Sequence, residues 1–167
     1  KDIAGHLPET RLLVSPASLA SLLNKYSGVY VKPVNGCKGR AISRVTRKQG
    51  RYLVKNNQDR LGKILNSVQE VYNRLRSANP NEILLAQQAI KAPSGKNHFD
   101  VRVMLQKDRH NRWAVTGIAA REGVYGHVTT NLHTGGKAAS LDKVLQARNM
   151  GNDQIEGIVG EIVRLGL

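Results

Sequence analysis

Residues 29–45, VYVKPVNGCKGRAISRV, carry an alternation of hydrophobic and polar positions that only a short basic loop interrupts. Val29 and Val31 alternate with polar or amphipathic neighbours, among them Lys32. A period of two residues is typical of a strand with one buried face. Because the alternation resumes over 41–45, the pattern predicts two neighbouring strands joined by the loop.

The loop between these strands follows Asn35 and contains Gly36, Lys38, Gly39 and Arg40. Glycines allow backbone N–H groups to approach an anion closely, and the flanking cations add positive charge, so the loop could cradle phosphate. Asn-Gly is also the commonest signal for an ordinary hairpin. Taken alone, this stretch favours the ordinary basic hairpin and leaves the phosphate cradle open.

Four segments have the apolar spacing or the cap residues of helices. The clearest is Arg60–Arg76, where apolar residues recur every three or four positions and predict a helix side that faces the core. The other helices are predicted from Pro16, with Ser15 as its cap and Gly28 as its stop; from Ser140 to about Arg148; and after a capping box of Asp153 and Glu156.

Alternation also predicts further strands at 52–55, 83–87, 99–106, 113–121 and 127–131. Both faces of 113–121 are apolar, so this strand is predicted to lie inside a sheet. The loop 92–95, APSG, is a predicted boundary between two lobes.

Composition adds a strong charge imbalance. The chain of 167 residues has 26 Lys and Arg against 12 Asp and Glu, a formal net charge of +14. Such a balance indicates an anionic partner, which could be a nucleotide, a nucleic acid or an acidic surface. The single cysteine, Cys37, excludes an internal disulfide and fits a reducing, cytoplasmic location. No apolar run approaches the ~20 residues of a membrane span, so no membrane partner is expected.

Several kinds of chemistry have no support in the sequence. The five histidines lack metal-ligand spacing, and neither a Walker loop nor a GxGxxG motif is present. A set of polar residues at predicted strand ends remains, each with an ordinary structural explanation, such as pairing of Arg102 with Asp100 on an exposed strand face. Besides the glycine loop, the set comprises Lys32, Gln87, Gln88, Asp100, Arg102, Arg121 and Asn131.

Six segments between Leu7 and Gly136 resemble the ATP-grasp superfamily, and most closely its YheC/YheD-like, endospore coat-associated group. They are LPETR, VYVKPVNGCKGRAISRV, LLAQQAI, FDVRVMLQ, WAVTGIAAR and TNLHTGG. The last is also similar to ribosomal-protein glutamate ligases and glutathione synthetases. The resemblance implies an α+β ATP-grasp fold with two lobes, antiparallel sheets and a nucleotide cleft between them. It implies a leading segment and short helix at 1–27, an N-terminal lobe at 28–92 and part of a C-terminal lobe at 93–167.

The resemblance also implies a role for each matching residue. Lys32 would contact nucleotide phosphates, and the loop from Gly36 to Arg40, including Lys38 and Gly39, would close over them. The remaining assignments are Gln87, Gln88 and Ile90 in the adenine and ribose pocket, Asp100 in nucleotide binding, Arg102 and Arg121 at the phosphoryl-transfer centre, and Asn131 with Gly135 and Gly136 near the acyl phosphate or acceptor.

The implied activity is ATP-dependent ligation of a carboxylate to an amine or thiol through an acyl phosphate, with Mg²⁺. The sequence departs from this pattern because no E-x-N follows Asn131. We therefore expect the metal ligands to lie outside this chain, which would be a catalytically incomplete fragment without the N-terminal domain.

Two alternatives remain: a structural spore-coat protein that retains the fold without activity, and a basic nucleic-acid-binding module. Aromatic residues make up 4% of the chain and lie scattered, which weighs against the latter.

Overall fold

The computed structural model describes residues 3–35, 41–59, 61–90, 97–124, 127–130 and 132–167. The chain separates into two compact units. The first unit comprises Leu7–Lys91 with Tyr125–Thr129, and the second comprises Lys1–His6, Ala92–Val124 and Thr130–Leu167. Each unit combines helices with an antiparallel sheet, which confirms the predicted α+β class.

The first unit is built on a six-stranded antiparallel sheet and two helices. The strands are β1 Thr10–Leu12, β2 Gly28–Pro33, β3 Ser43–Lys48, β4 Arg51–Asn56, β5 Lys63–Leu65 and β6 Leu84–Gln88. Their order is β1-β6-β2-β3-β4-β5. The helices are α1 Pro16–Lys25 and α2 Val68–Ala78.

Both helices pack on one face of this sheet. Val29 and Val31 of β2 lie on that face and are fully buried, as are Leu19 and Leu22 of α1. Because side chains alternate along a strand, Tyr30 and its same-face neighbours project from the opposite side. We call that side the Lys32 face; from β2, β3, β4 and β6 it carries Tyr30, Lys32, Arg44, Lys55, Leu85 and Gln87.

The start of α1 confirms the predicted cap. The Ser15 hydroxyl accepts a hydrogen bond from the Ser18 amide at 3.2 Å, and the Ser18 hydroxyl accepts one from the Ser15 amide at 3.2 Å. The predicted stop at Gly28 is wrong, because the helix already ends at Lys25. Gly28 instead opens β2, and its carbonyl accepts a hydrogen bond from the Ala89 amide.

The helix predicted over Arg60–Arg76 is wrong in its first half. Lys63–Leu65 forms the edge strand β5, and α2 begins only at Val68, after the cap Ser67. Gly62 has φ of +77°, which lies outside the right-handed helical region, so the backbone is not helical at this point. Leu61 and Ile64 lie in the apolar stripe predicted for Arg60–Arg76 to face the core, but they are 89% and 58% exposed.

The second unit contains a three-stranded antiparallel sheet of order β7-β8-β9, with two helices on one face. Its elements are β7 Phe99–Lys107, β8 Trp113–Glu122, β9 Lys137–Ala139, α3 Leu141–Gln146 and α4 Asn152–Gly166. The central place of β8 confirms the prediction from its two apolar faces. The strand predicted over 127–131 is wrong for the described residues 127–130, and β9 occupies the third position instead.

The predicted capping box of Asp153 and Glu156 is wrong. α4 begins at Asn152 after Gly151, whose amide donates to the Gln154 side-chain oxygen at 3.0 Å. The apolar stripe of this helix is confirmed: Ile155 is buried and Ile158 packs against the same cluster. Among the described residues, no helix has the length and apolar character needed to cross a membrane.

We expect Leu75→Ala to lower the free energy of unfolding by about 2–5 kcal/mol, since it removes a buried side chain and leaves a cavity. Leu61→Ala should change it by less than about 0.5 kcal/mol, because Leu61 is 89% exposed. Urea denaturation of both variants measures the difference. Equal losses would show that Leu61 belongs to the core and that the helix extends as the sequence predicted.

Candidate functional site

Two predicted site residues meet on the Lys32 face. Lys32 lies opposite Leu85 in the pairing of β2 with β6, and Gln87 lies opposite Tyr30. This diagonal arrangement on one face lets the Lys32 ammonium donate a hydrogen bond to the Gln87 side-chain oxygen at 3.0 Å. An ammonium group has three donors, and the described part of the chain uses one of them, so two remain for other acceptors.

Gln87 is itself oriented by the neighbouring strand. Its side-chain amide nitrogen donates to the Thr10 hydroxyl at 2.8 Å, and Thr10 lies opposite Gln87 in the pairing of β1 with β6. Since the nitrogen is engaged with Thr10, the oxygen of the same amide is turned toward Lys32. Thr10 therefore belongs to the site, although the sequence offered no signal for it beyond a polar residue in the LPETR segment.

Gln88 and Ile90 are placed differently from Gln87. The Gln88 side-chain oxygen accepts a hydrogen bond from the Glu9 amide at 3.2 Å, and the Gln88 amide donates to the Glu9 carbonyl at 2.8 Å. These two hydrogen bonds of Gln88 hold the segment that precedes β1 against β6. Ile90 follows β6 and is 67% exposed.

Glu9 is a charged centre that the sequence analysis did not identify. Its carboxylate accepts hydrogen bonds from the Lys25 ammonium at 2.6 Å and from the Tyr26 hydroxyl at 2.7 Å, and it pairs with Arg11 at 2.5 Å. These contacts, led by Lys25, lower the pKa of Glu9 to about 2. The cluster ties the start of β1 to the end of α1.

The Lys32 face carries further cations beside Tyr30. Arg44 of β3 lies opposite Tyr30 on one side and Lys55 on the other, and its guanidinium is 5.9 Å from the Tyr30 ring centre. Burial raises the pKa of the Tyr30 hydroxyl, and the charge of Arg44 offsets part of that rise. The face is therefore positively charged beside the Lys32–Gln87 pair.

The second unit brings together Asp100, Arg121 and Thr130. Asp100 of β7 lies opposite Arg121 of β8. Arg121 Nε donates to Asp100 Oδ1 at 2.7 Å, and a second guanidinium nitrogen pairs with Oδ2. The Thr130 hydroxyl donates to Oδ2 at 2.7 Å. This cluster, with Arg102, lies on the sheet face away from α3 and α4, which we call the Asp100 face.

The ion pair with Arg121 favours the ionised form of Asp100. Burial alone would raise its pKa, but the hydrogen bonds from Arg121 and Thr130 and the positive charges of Arg121 and Arg102 outweigh burial and lower the pKa. Arg102 is exposed and lies opposite Ala119. The alternative interpretation, in which Arg102 pairs with Asp100, is wrong, because Arg121 takes that position.

Glu122 follows Arg121 and projects to the other face of β8. Its carboxylate accepts hydrogen bonds from both terminal nitrogens of Arg148 at 3.2 Å, and the Arg148 side chain is only 3% exposed. Arg148 also lies 4.4 Å from the Phe99 ring centre. Glu122 is therefore the acidic partner of the buried Arg148.

Comparison with known proteins identifies the family. The family description "YheC/D like ATP-grasp" matches residues 1–166. The chain belongs to the YheC/D-like ATP-grasp family. The recognition made from the six sequence segments is confirmed, and so is the predicted ATP-grasp fold class.

A curated relative of this ATP-grasp chain is the endospore coat-associated protein YheD of Bacillus subtilis (strain 168), which is 30% identical over 185 residues. The match covers 95% of this chain and 40% of the relative. The chain therefore spans about two fifths of the length of the curated relative that it matches.

Five of the family-implied site residues lie outside the described residues. They are Gly36, Lys38, Gly39, Arg40 and Asn131. Gly135 and Gly136, which follow Asn131, are described: Gly135 has φ of +91° and its amide donates to the Leu132 carbonyl at 3.1 Å. The positive φ favours glycine at this turn.

The carboxylates of this ATP-grasp chain do not form a preassembled magnesium shell within its described part. No group of three His, Cys, Asp or Glu side chains is found there that could hold a metal ion. Both Asp100 oxygens accept hydrogen bonds from Arg121 or Thr130. The described residues therefore do not fit Mg²⁺, and no step is assigned to it.

We expect Thr130→Val to raise the pKa of Asp100, because it removes a hydrogen bond to the ionised carboxylate. Carboxyl ¹³C NMR titration measures this directly. The pKa of Asp100 is lower in the folded than in the unfolded state, so its ionised form contributes stability above the unfolded value of about 3.9. That contribution is lost as the pH falls through the folded value, and the loss should be smaller in Thr130→Val.

Glu9 provides the internal control for this titration, because Lys25, Tyr26 and Arg11 set its pKa independently of Thr130. An unchanged Asp100 pKa in the variant would mean that Thr130 does not bind the carboxylate in solution.

Proposed function

We propose that the chain binds ATP on the Lys32 face and forms part of an ATP-dependent ligase. The observation that carries the proposal is the Lys32–Gln87 contact, in a chain that belongs to an ATP-grasp family. A lysine held on a rigid strand beside a positively charged sheet face suits the polyphosphate of a nucleotide. Its two remaining donors would contact phosphate oxygens.

Gln87 and Ile90 would receive the adenine and ribose, and Gln88, which lies opposite Val29 on the helix-covered face and accepts a hydrogen bond from the Glu9 amide, would hold this segment in place. The exposed apolar side chain of Ile90 would offer a surface for the base. The glycine loop at 36–40 would cover the phosphates. These roles follow the proposed division into lobes at 28–92 and 93–167, preceded by a leading segment at 1–27.

The proposed reaction has two steps. A carboxylate oxygen of the substrate attacks the γ-phosphorus of ATP, the bond to ADP breaks, and an acyl phosphate forms. An amine or thiol then attacks the acyl carbon, loses its proton, and phosphate leaves. Both steps depend on positioning and on neutralising the transferring phosphoryl group.

The Asp100 face would serve the phosphoryl-transfer side of this reaction. Arg102 is exposed and would contribute positive charge directly. Arg121 already pairs with Asp100, and that pairing would hold its guanidinium in a fixed orientation. Asp100 would thus act through Arg121 in nucleotide binding, and Asn131 would lie near the acyl phosphate or acceptor.

A second candidate function is a structural role in the spore coat with the fold retained and the chemistry lost. The name of the relative, an endospore coat-associated protein, is the observation in its favour. A cytoplasmic ligase and a coat component differ in whether ATP binds, so the next experiment separates them.

We expect ATP to raise the thermal unfolding midpoint of the wild-type chain, because a ligand that binds the folded state stabilises it. Lys32→Ala should weaken ATP binding by about 10- to 100-fold, since it removes a charge-assisted contact. Thermal unfolding over a range of ATP concentrations, with and without Mg²⁺, measures both effects.

Lys48→Ala is the matched control, because Lys48 is an exposed lysine at the far end of β3, on the same sheet. It should retain the wild-type response to ATP. Equal ATP responses in all three proteins would remove Lys32 from the site. The absence of any response in the wild type would contradict ATP binding by this chain and favour the structural role.

A further inference from the structure

The helix-covered face of the first sheet changes from apolar to polar side chains at one end. Ser43 of β3 lies opposite Asn56 of β4 on this face, next to the fully apolar pair Val45 and Val54. Ser43 is only 8% exposed, although its position in the alternation is one that the core normally fills with an apolar side chain. At this end of β3 and β4, two polar residues therefore occupy positions that the alternation assigns to the core.

A pocket of about 400 Å³ opens at this polar end, between the sheet and α2. It is lined by Ser43, Val54, Asn56, Arg74, Leu75, Ser77 and Ala78. The volume lies within the ~300–1,000 Å³ range of ligand sites in proteins. Because it lies on the helix-covered face, this pocket is separate from the Lys32 face on which ATP binding is proposed.

Arg74 supplies the positive charge of the pocket. Its nearest acidic partner is Asp59, at 3.8 Å between guanidinium nitrogen and carboxylate oxygen. That distance exceeds a hydrogen bond, so the pair is loose. Both side chains are about two fifths exposed, at 39% and 41%, and such an ion pair is weak in water. Among the described residues no closer acceptor for the Arg74 guanidinium is found, so its N–H donors are available to a ligand.

The other polar groups that line the pocket add hydrogen-bond donors beside an apolar surface. The Asn56 side-chain oxygen accepts hydrogen bonds from the amides of Gln58 and Asp59, at 2.9 and 2.6 Å, which directs its NH₂ group elsewhere. For that NH₂ group and for the hydroxyls of Ser43 and Ser77, the described part of the chain supplies no hydrogen-bond partner. Val54, Leu75 and Ala78 provide the apolar surface.

We propose that this pocket binds a small monocarboxylate with a short apolar tail. The carboxylate would accept two parallel hydrogen bonds from Arg74, a geometry that guanidinium groups favour. The serine hydroxyls and the Asn56 amide would satisfy its remaining lone pairs. The tail would lie on Val54 and Leu75. This inference does not depend on ATP binding.

The test uses hexanoate as the probe, with hexylammonium and 1-hexanol as ligands of similar length but different charge. Amide ¹H–¹⁵N NMR at constant ionic strength follows each titration of the whole chain. We expect saturable shifts from hexanoate at Ser43, Asn56 and Ser77. Arg74→Gln should weaken hexanoate binding about ten-fold or more, because it removes a charge-assisted hydrogen bond.

Two further variants test whether hexanoate binds in this pocket. Arg76→Gln removes the same charge from the same helix, but Arg76 binds the carbonyls of Glu82 and Pro80 and does not line the pocket, so hexanoate affinity should be retained. Ala78→Leu fills the pocket from an exposed helix position and should abolish binding without unfolding the chain.

Several outcomes would overturn the proposal. They are the absence of saturable shifts from hexanoate, shifts confined to residues away from the pocket, equal binding of hexylammonium or hexanol, and equal losses in Arg74→Gln and Arg76→Gln. Failure of ATP to bind would leave each of these measurements unaffected, so the two proposals are tested separately.

Discussion

Antiparallel pairing of β2 with β3 on one side and with β6 on the other is the constraint on which the first unit depends. Val29 and Val31 turn one face of β2 into the core beneath the two helices. A strand with a period of two must then present Lys32 on the other face. The register with β6 places Gln87 one diagonal step away, within hydrogen-bonding distance. A shift of one residue would bury the lysine and dismantle both the core and the site.

The second unit uses the same alternation to separate two ion pairs. Arg121 and Glu122 are consecutive in β8, so their side chains project to opposite faces. Arg121 pairs with Asp100 on the Asp100 face, while Glu122 pairs with the buried Arg148 on the helix-covered face. Two consecutive residues of β8 thereby take part in the candidate site on one face and in the helix packing on the other. Truncating Glu122 would leave the buried Arg148 guanidinium without its acidic partner, which is costly because a buried charge needs compensation.

Polar residues on the helix-covered face of the first sheet need a different explanation from those on the Lys32 face. Lys32 and Gln87 lie where a solvated or ligand-bound side chain is expected. Ser43 and Asn56 lie where the alternation expects core, and they border a pocket that contains the cation Arg74. The two faces of one sheet therefore carry two candidate sites, each with its own polar groups.

Short-range periodicity in the sequence determined the strands around the glycine loop, the Ser15 cap and the central position of β8. The six local segments determined the family by resemblance, and the α+β class was implied by that family. Only the tertiary structure decided what depends on pairing between distant residues. Leu61 matched a helical stripe, but strand pairing and the positive φ of Gly62 removed it from the core. Asp100 was free to pair with either arginine until the register of β7 and β8 set Arg121 opposite it. Spacing along a chain does not reveal which strands become neighbours, and these contacts follow from that choice.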